Sequence, residues 1–235
     1  MKTVPAAARY VKIHRTAMTA ETRSTKRRYE KRARAAQEQA TRLRIIEAGI
    51  ALHGTIGPAR TTISAIAERA GVRRATVYRH FPDERALFLG CSGTFRERNP
   101  PPDPATWTSI PDPAARLAAA LDAIYRWYER VEPMLTAVLR DADAMPILRE
   151  LQAGRLAYLA DVEDGLASGW GARGKAAKRL RATIGLALDF LAWRTLNERG
   201  LSRTDAIAVM SSAVRAAAAS GRPTDSVPAG AAKEG

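Results

Sequence analysis

Residues 62–81 contain two short helical patterns that are separated by one glycine. Ala67 is small where two helices must cross closely, and Gly71 follows four residues later, at a turn where positive φ would strain any other residue. Val77 lies six residues beyond Gly71 and is predicted to hold the second helix to a core. The remaining apolar positions are Ile66, Ala70, Val72 and Phe81. This spacing predicts a helix-turn-helix whose first helix has Thr62 as its N-cap.

The second helix of this motif has a polar and basic face. That face carries Arg73, Arg74, Thr76, Tyr78, Arg79 and His80. Arginine can bind the O6/N7 edge of guanine with two hydrogen bonds, and threonine, tyrosine and histidine can bind phosphate. The alternative is a small corner of two helices whose polar face is only solvated. The charge that precedes the motif favours a nucleic-acid surface.

Most of the positive charge lies in the N-terminal arm, residues 1–44. The chain of 235 residues has a formal charge of +14, and its pI is near 10.7. The N-terminal arm holds 13 Lys and Arg against 3 Asp and Glu. A charge run alone is equally typical of a solvated tail. Beside a helix-turn-helix, however, it favours a polyanionic partner.

The remaining sequence predicts helices and no β-sheet. A helix from about Thr25 has its apolar stripe at Leu43, Ile46, Ile50 and Ala51 and ends near His53 and Gly54. Asp83 is the predicted N-cap of a helix at 84–98, and the stretch 99–112 is a Pro-rich linker that stays loop-like from Trp107. Further helices are predicted at 113–131, 133–142, 146–168, 174–198 and 203–219. The predicted fold is all-α, with an N-terminal three-helix helix-turn-helix domain followed by a larger helical-bundle domain.

Residues 42–90 resemble the TetR (tetracycline-repressor) family of transcriptional regulators. The resemblance rests on the string from Thr61 to Pro82, TTISAIAERAGVRRATVYRHFP, and on RIIEAGIALH before Gly57, which is similar to the family's first helix. It implies that Thr62 caps its helix and touches phosphate, and that base edges are read by Ser64, Arg73 and Arg74. It also implies that Ala75 packs on a thymine methyl, that Thr76, Tyr78 and His80 hold the DNA backbone, and that Arg79 reads either a base or a phosphate.

One position departs from the family pattern. Glu84 stands where the family usually has a lysine that grips phosphate at a helix N-terminus, so either Arg85 replaces that contact or the contact is absent. The N-terminal arm is also unusually long and basic for the family. Phosphate or minor-groove contacts are predicted for Arg27, Arg28, Lys31, Arg32 and Arg34.

The C-terminal helices have two candidate roles. Apolar residues recur every three or four positions at Leu180, Ile184, Leu188 and Leu191, and again at Ile207, Met210 and Val214. The resemblance implies that two such helices from each subunit form a four-helix dimer interface, although the same stripes suit an intramolecular core. An effector pocket is predicted at Tyr125, Trp127, Tyr128, Met134, Tyr158, Phe190 and Trp193, with ordinary core packing as the alternative.

The predicted domains follow from these segments. They are a flexible basic tail at 1–24, a DNA-binding domain with a long basic first helix at 25–98, the linker at 99–112, a helical ligand-binding and dimerisation domain at 113–220, and a flexible tail at 221–235.

Other motifs do not indicate an enzyme, a cofactor or a metal site. The stretch from Gly169 to Lys175 has most of a phosphate-binding loop, but Ala176 replaces the required Ser or Thr and no strand precedes it, so a helix–helix turn is predicted. The lone Cys91 is expected to be buried, and the three histidines show no metal-ligand spacing. No run of about 18 apolar residues or secretory signal is present, so a cytoplasmic protein is expected.

The sequence therefore predicts a sequence-specific DNA-binding transcriptional regulator, a dimeric repressor that a small-molecule effector releases from a palindromic operator. The alternative is a DNA-binding factor without a small-molecule switch, acting constitutively or architecturally.

Overall fold

The computed structural model describes the backbone of residues 6–219 and the side chains of residues 27–219. All regular structure in this part of the chain is helical, which confirms the predicted all-α fold. The chain forms two compact units. The first comprises the residues up to His53 together with Arg60–Thr94, and the second comprises Gly54–Ala59 and the chain from Phe95 onward.

Four helices build the first unit. They are α1 (Ala6–Thr55), α2 (Ile63–Arg69), α3 (Arg74–His80) and the larger part of α4 (Glu84–Arg98). The Thr62 hydroxyl accepts a hydrogen bond from the amide of Ala65, and the Asp83 carboxylate accepts one from the amide of Ala86. Both predicted N-caps are therefore confirmed.

Helix α1 begins earlier than the sequence predicts. Its backbone is helical from Ala6, whereas the apolar periodicity predicts a start near Thr25. The sequence between these two residues contains neither glycine nor proline, so no residue in it favours a break. Apolar periodicity marks only the part of a helix that packs against a core, so it does not define where α1 begins.

The core of the first unit is small and contains the apolar residues that the helix-turn-helix pattern predicts to be buried. Val77 is fully buried, and Ile66, Ala67 and Phe81 are almost fully buried. Burying a valine side chain contributes roughly 1.5–3 kcal/mol, which is large for a helix of two turns. Cys91 is also buried, as predicted, and burial raises the pKa of its thiol to about 12. It is therefore a packing residue rather than a nucleophile.

The second unit contains the end of α4 and six further helices. They are α5 (Ala105–Thr108), α6 (Pro113–Asp141), α7 (Pro146–Leu166), α8 (Gly174–Leu188), α9 (Phe190–Glu198) and α10 (Arg203–Ala219). Glycines 169, 171 and 174 have positive φ between α7 and α8, so the segment similar to a phosphate-binding loop is a helix–helix turn, as predicted. The predicted tail at 221–235 lies outside the described residues.

Three predicted boundaries in this unit are wrong. Helix α6 continues through Pro133, which lies on an exposed side where water can bond the carbonyl that loses its amide partner. The predicted helix at 174–198 is broken at Asp189, which is extended and caps α9 through a carboxylate that accepts from the amide of Ala192. The linker contains α5, because Trp107 is buried in the core of this unit.

The linker is held to the second unit by two side-chain hydrogen bonds. The indole N–H of Trp127 donates to the carbonyl of Asn99 over 3.1 Å, and the hydroxyl of Tyr158 donates to the carbonyl of Pro102 over 2.8 Å. No helix within the described residues is both long and apolar enough to cross a membrane. The same part of the chain contains no cluster of metal-ligating side chains.

Candidate nucleic-acid interface

Helix α3 is fixed to the first unit by its apolar side and by the turn before it. Gly71 has a φ of +64°, as predicted, and the amide of Val72 donates to the carbonyl of Ala67 over 2.9 Å to close that turn. Val77 lies under the middle of α3, and Phe81 closes its end. The opposite side of the helix is therefore presented to solvent in one fixed orientation.

The predicted DNA-contact residues lie on this solvent side. Ser64, Arg73, Arg74, Ala75, Tyr78 and Arg79 are exposed, and Thr76 and His80 are half-buried. Arg73 is extended just before α3 and Arg74 is its first residue, so two guanidinium groups stand at the helix N-terminus. In helix-turn-helix proteins, residues at the N-terminal end of the second helix contact base edges.

Thr62 caps α2 and is also exposed to solvent. Its hydroxyl oxygen accepts from the amide of Ala65 over 3.1 Å, which satisfies one of the open donors at the start of α2. The hydroxyl hydrogen is not used in that bond, and the residue is exposed. The same side chain can therefore donate to a phosphate oxygen while it caps the helix.

His80 is held from α1 by Arg42, a residue that the sequence reasoning missed. The Arg42 Nη1 donates to the His80 carbonyl over 2.7 Å, and its guanidinium lies 4.0 Å from the centroid of the Phe81 ring. Both contacts fix the C-terminal end of α3. The sequence contains a signal that could have identified Arg42. It lies three residues before Ile45 and four before Ile46, so it is a charged residue on the apolar face of α1.

The surroundings of His80 lower its pKa. Desolvation is the largest cause, followed by the positive charges of Arg79 and Arg42, while Glu38 acts in the opposite direction. The Nε2 atom is buried and has no hydrogen-bond partner among the described residues. In the chain without DNA, these surroundings favour the neutral imidazole of His80.

The described part of the N-terminal arm is solvent-accessible. Arg27, Arg28, Lys31, Arg32 and Arg34 are all exposed on α1. Glu84 and Arg85 are exposed in the first turn of α4. The carboxylate therefore stands at the helix N-terminus that the family's lysine would occupy.

The second unit gathers most of the predicted pocket residues into one aromatic cluster: Tyr125, Trp127, Tyr128, Tyr158, Phe190 and Trp193. Neighbouring rings in it have centroids 5.2–6.5 Å apart. All are buried except Tyr158, which is half-buried. Met134 is not in this cluster, and lies near Gly54 instead.

Two hydroxyls of the aromatic cluster bond the end of α8. Tyr125 donates to the carbonyl of Ala187 over 2.8 Å, and Tyr128 donates to the carbonyl of Leu188 over 2.6 Å. Burial raises the pKa of both phenols, so both remain neutral donors. The aromatic cluster is therefore tied to the break between α8 and α9.

A cleft of about 250 Å³ lies between α7 and α8, away from the predicted pocket residues. Its lining consists of Asp164, Ala167, Ser168, Ala172, Ala177, Leu180 and Arg181. Asp164 and Arg181 form an ion pair there.

The apolar stripes of α8 and α10 are mostly used inside the chain. Leu180, Ile184, Leu188, Met210 and Val214 are buried in the core of the second unit. Among the residues of these stripes, Leu191 remains exposed. Three large apolar side chains on α8, α9 and α10 are about half exposed: Leu186 at 54%, Leu191 at 53% and Val209 at 47%.

Residues 45–91 match the family model of bacterial regulatory proteins of the tetR family. This match covers α2, α3 and the adjoining parts of α1 and α4, which are the elements that position the basic surface. No curated protein matches the chain in sequence.

Several solved structures share the fold of the chain. A proposed fatty acid metabolism regulator of Clostridium perfringens has a TM-score of 0.56 at 17% identity, over 74% of this chain and 97% of the other. A TetR-like transcriptional regulator from Rhodococcus sp. RHA1 has a TM-score of 0.54 at 16% identity, over 74% and 93%. The transcriptional regulator FadR from Bacillus subtilis, solved in complex with stearoyl-CoA, has a TM-score of 0.51 at 19% identity, over 75% and 97%.

Proposed function

We propose that this chain, whose residues 45–91 match the tetR family model, is a TetR-family regulator: a dimeric repressor that binds a palindromic operator and is released from it by a small-molecule effector. The observation that carries the DNA-binding part is the basic side of α3, which Val77 and Phe81 hold toward solvent. A buried anchor with an exposed arginine face is the arrangement that places a recognition helix in the major groove.

The residues of this surface divide into two roles in the proposal. Base edges are read by Ser64, Arg73, Arg74 and Ala75, and the DNA backbone is held by Thr62, Thr76, Tyr78 and His80. Arg79 reads a base or binds a phosphate. The support for this division is that α3 starts at Arg74, so the arginines stand at the end of the helix that enters the groove first.

The dimer part of the proposal is supported by the exposed apolar side chains Leu186, Leu191 and Val209. One helix-turn-helix covers too few base pairs to be specific, and a two-fold dimer presents two recognition helices about one DNA turn apart. A second copy of the chain would cover the three side chains and remove them from water.

The effector part of the proposal places an apolar small molecule at the predicted pocket residues that form the aromatic cluster, without Met134. It is supported by the aromatic cluster and by the stearoyl-CoA of the structurally similar FadR. Helix α4 begins in the first unit and ends in the second. In the proposal, a ligand that shifts helices of the second unit moves the first unit, which binds DNA, through α4. The alternative, a factor without a small-molecule switch, is favoured by the close packing of the same rings.

Selection of bound duplexes from a random pool with the full chain tests the DNA-binding part. We expect a palindrome whose half-sites are about one helical turn apart. Recovery of duplexes with no common sequence would overturn sequence-specific binding. Titration of candidate effectors, stearoyl-CoA among them, against the selected complex then separates the two alternatives, because linkage requires an inducer to weaken DNA binding.

Replacing Arg74 with alanine tests the role of α3 directly. We expect the preference at one base position to be lost at a cost of roughly 1–3 kcal/mol, because a bidentate contact to a base edge disappears. Affinities for the selected duplex and for random duplexes are compared by fluorescence anisotropy. An equal loss on both would reassign Arg74 to phosphate binding, and Tyr78→Phe serves as the control that changes a proposed backbone contact.

A further inference from the structure

Helix α1 carries the N-terminal arm in a fixed rotational relation to the helix-turn-helix. It is one uninterrupted helix from Ala6 to Thr55, and its last turns pack in the core of the first unit. An α-helix completes five turns in about 18 residues, so residues 18 apart lie on the same side. Arg27 is therefore in line with Ile45, which is fully buried, and Lys31 is in line with Gly49.

Three cations follow this relation. Each lies 18 residues, or five turns, before a residue that faces the core or its edge. The pairs are Arg27 with Ile45, Lys31 with Gly49, and Arg34 with Leu52. The side of α1 that packs on α2–α4 thus continues along the N-terminal arm as a basic face. We call the side defined by Arg27, Lys31 and Arg34 the inner face of the arm.

The C-terminal end of α3 marks where this face begins. Arg42 bonds the His80 carbonyl and so points toward the end of α3, and Glu38 is near enough to act electrostatically on His80. Residues four apart on a helix differ in direction by only about 40°, so Arg42 and Glu38 share the side of α1 that carries Lys31. The inner face therefore extends past the end of the recognition helix on the same side.

The reach of the inner face exceeds that of a single recognition helix. From Arg42 to Arg27 the helix axis advances about 22 Å at 1.5 Å per residue. That length corresponds to about six base pairs at 3.4 Å each. On a duplex bound by α3, the phosphates within such a distance of the half-site are the anions available to the arm.

From this geometry we infer that the inner face binds the phosphates of duplex DNA flanking each half-site, through Arg27 and Lys31. This inference rests on the proposed DNA-binding function and narrows the contacts of the arm from five residues to one side of α1. The exposed Glu38 pairs with Arg34 Nε over 3.6 Å on the same face, so Arg34 contributes less than its neighbours.

The chain offers a matched control for this inference. Arg28 and Arg32 have the same spacing and charge as Arg27 and Lys31, but they are rotated by about 100° around the helix axis. All four side chains are exposed. The double variants Arg27→Gln with Lys31→Gln, and Arg28→Gln with Arg32→Gln, therefore remove equal charge from different sides with a residue that keeps helix propensity.

The experiment uses the full chain and a duplex selected from the random pool, in two lengths. The short duplex ends at the outer edges of the half-sites, and the long duplex extends beyond each half-site by roughly the six base pairs that the arm can span. The dissociation constant is measured over a range of salt concentrations. The logarithm of the association constant falls linearly with the logarithm of the salt concentration. Removing one phosphate interaction makes this slope less steep by roughly 0.9.

We expect the unaltered chain to bind the long duplex with a steeper salt slope than the short one. Changing Arg27 and Lys31 should remove this difference, while changing Arg28 and Arg32 should preserve it. Equal slopes on both duplexes, or equal effects of both variants, would overturn the inference. If the short duplex is bound and Arg74→Ala relaxes its sequence preference, the proposed function stands in either case; if no duplex is selected, the proposed function itself fails.

Discussion

At the scale of single residues, His53 links the stability of the first unit to pH. It is 5% exposed at the end of α1, and its ring is stacked on Phe88 with centroids 4.7 Å apart. Desolvation lowers the pKa of His53 from 6.5 to about 4. The folded chain therefore keeps this imidazole neutral at a pH where the unfolded chain protonates it.

This shift predicts a loss of stability in mild acid. The unfolded state takes up the proton first as pH falls, so the contribution is complete above pH 6.5 and is lost between pH 6.5 and pH 4. The full loss in the free energy of unfolding is about 3 kcal/mol, from the size of the pKa shift.

Urea unfolding on either side of this pH interval measures that loss, and His53→Gln should lose less stability than the unaltered chain as the pH falls. His80 also has a lowered pKa, so a residual pH dependence is expected in the variant. Identical pH profiles for both proteins would contradict the assignment to His53.

Residue-scale patterns predicted the caps and anchors of the first unit because their causes are local. Thr62 and Asp83 lie three residues from the amides they cap, and Gly71 is at the turn whose φ it permits. The contact between Arg42 and His80 spans 38 residues. Spacing along the sequence does not encode such a pair.

At the scale of elements, the break between α8 and α9 depends on side chains of α6. The chain is extended at Asp189, so the carbonyls of Ala187 and Leu188 do not continue the helical pattern and accept from Tyr125 and Tyr128 instead. These bonds connect residues about 60 positions apart along the sequence. The sequence predicted one helix here because its apolar periodicity continues across the break, and the phenols that stabilise the break are distant.

Removing one of these hydroxyls should destabilise the second unit. Tyr128→Phe leaves the buried Leu188 carbonyl without its donor, and such a loss costs about 1–3 kcal/mol. Tyr158→Phe is the matched control, because its partner is the Pro102 carbonyl at a half-buried position that water can reach. Urea unfolding followed by far-UV circular dichroism compares the two. A Tyr158→Phe variant that loses as much stability as Tyr128→Phe would show that burial of the carbonyl is not the cause.

At the scale of the whole molecule, the fold class and the all-helical content followed from composition and periodicity, whereas the use of each apolar face did not. The stripes on α8 and α10 fit an intramolecular core and a dimer interface equally well in the sequence. In the structure Ile184 and Val214 are fully buried, and Leu186 and Val209 are exposed. Only the packed neighbours decide which apolar residues are buried within the chain and which are left exposed.

The exposed set predicts where a charge will separate the proposed dimer. Leu191→Glu introduces a carboxylate at a position that is 53% exposed in the single chain, so the chain itself should fold normally. In a dimer the carboxylate would be desolvated without a partner, and association should be lost. Leu156→Glu on α7 is the control, since Leu156 is 56% exposed and lies outside α8–α10. Sedimentation velocity should give a monomer for Leu191→Glu and a dimer for Leu156→Glu.

Operator affinity should fall roughly 10²–10⁴-fold in the monomer, because the second half-site is then no longer bound within one particle. A dimeric Leu191→Glu variant with unchanged operator affinity would move the interface away from this face.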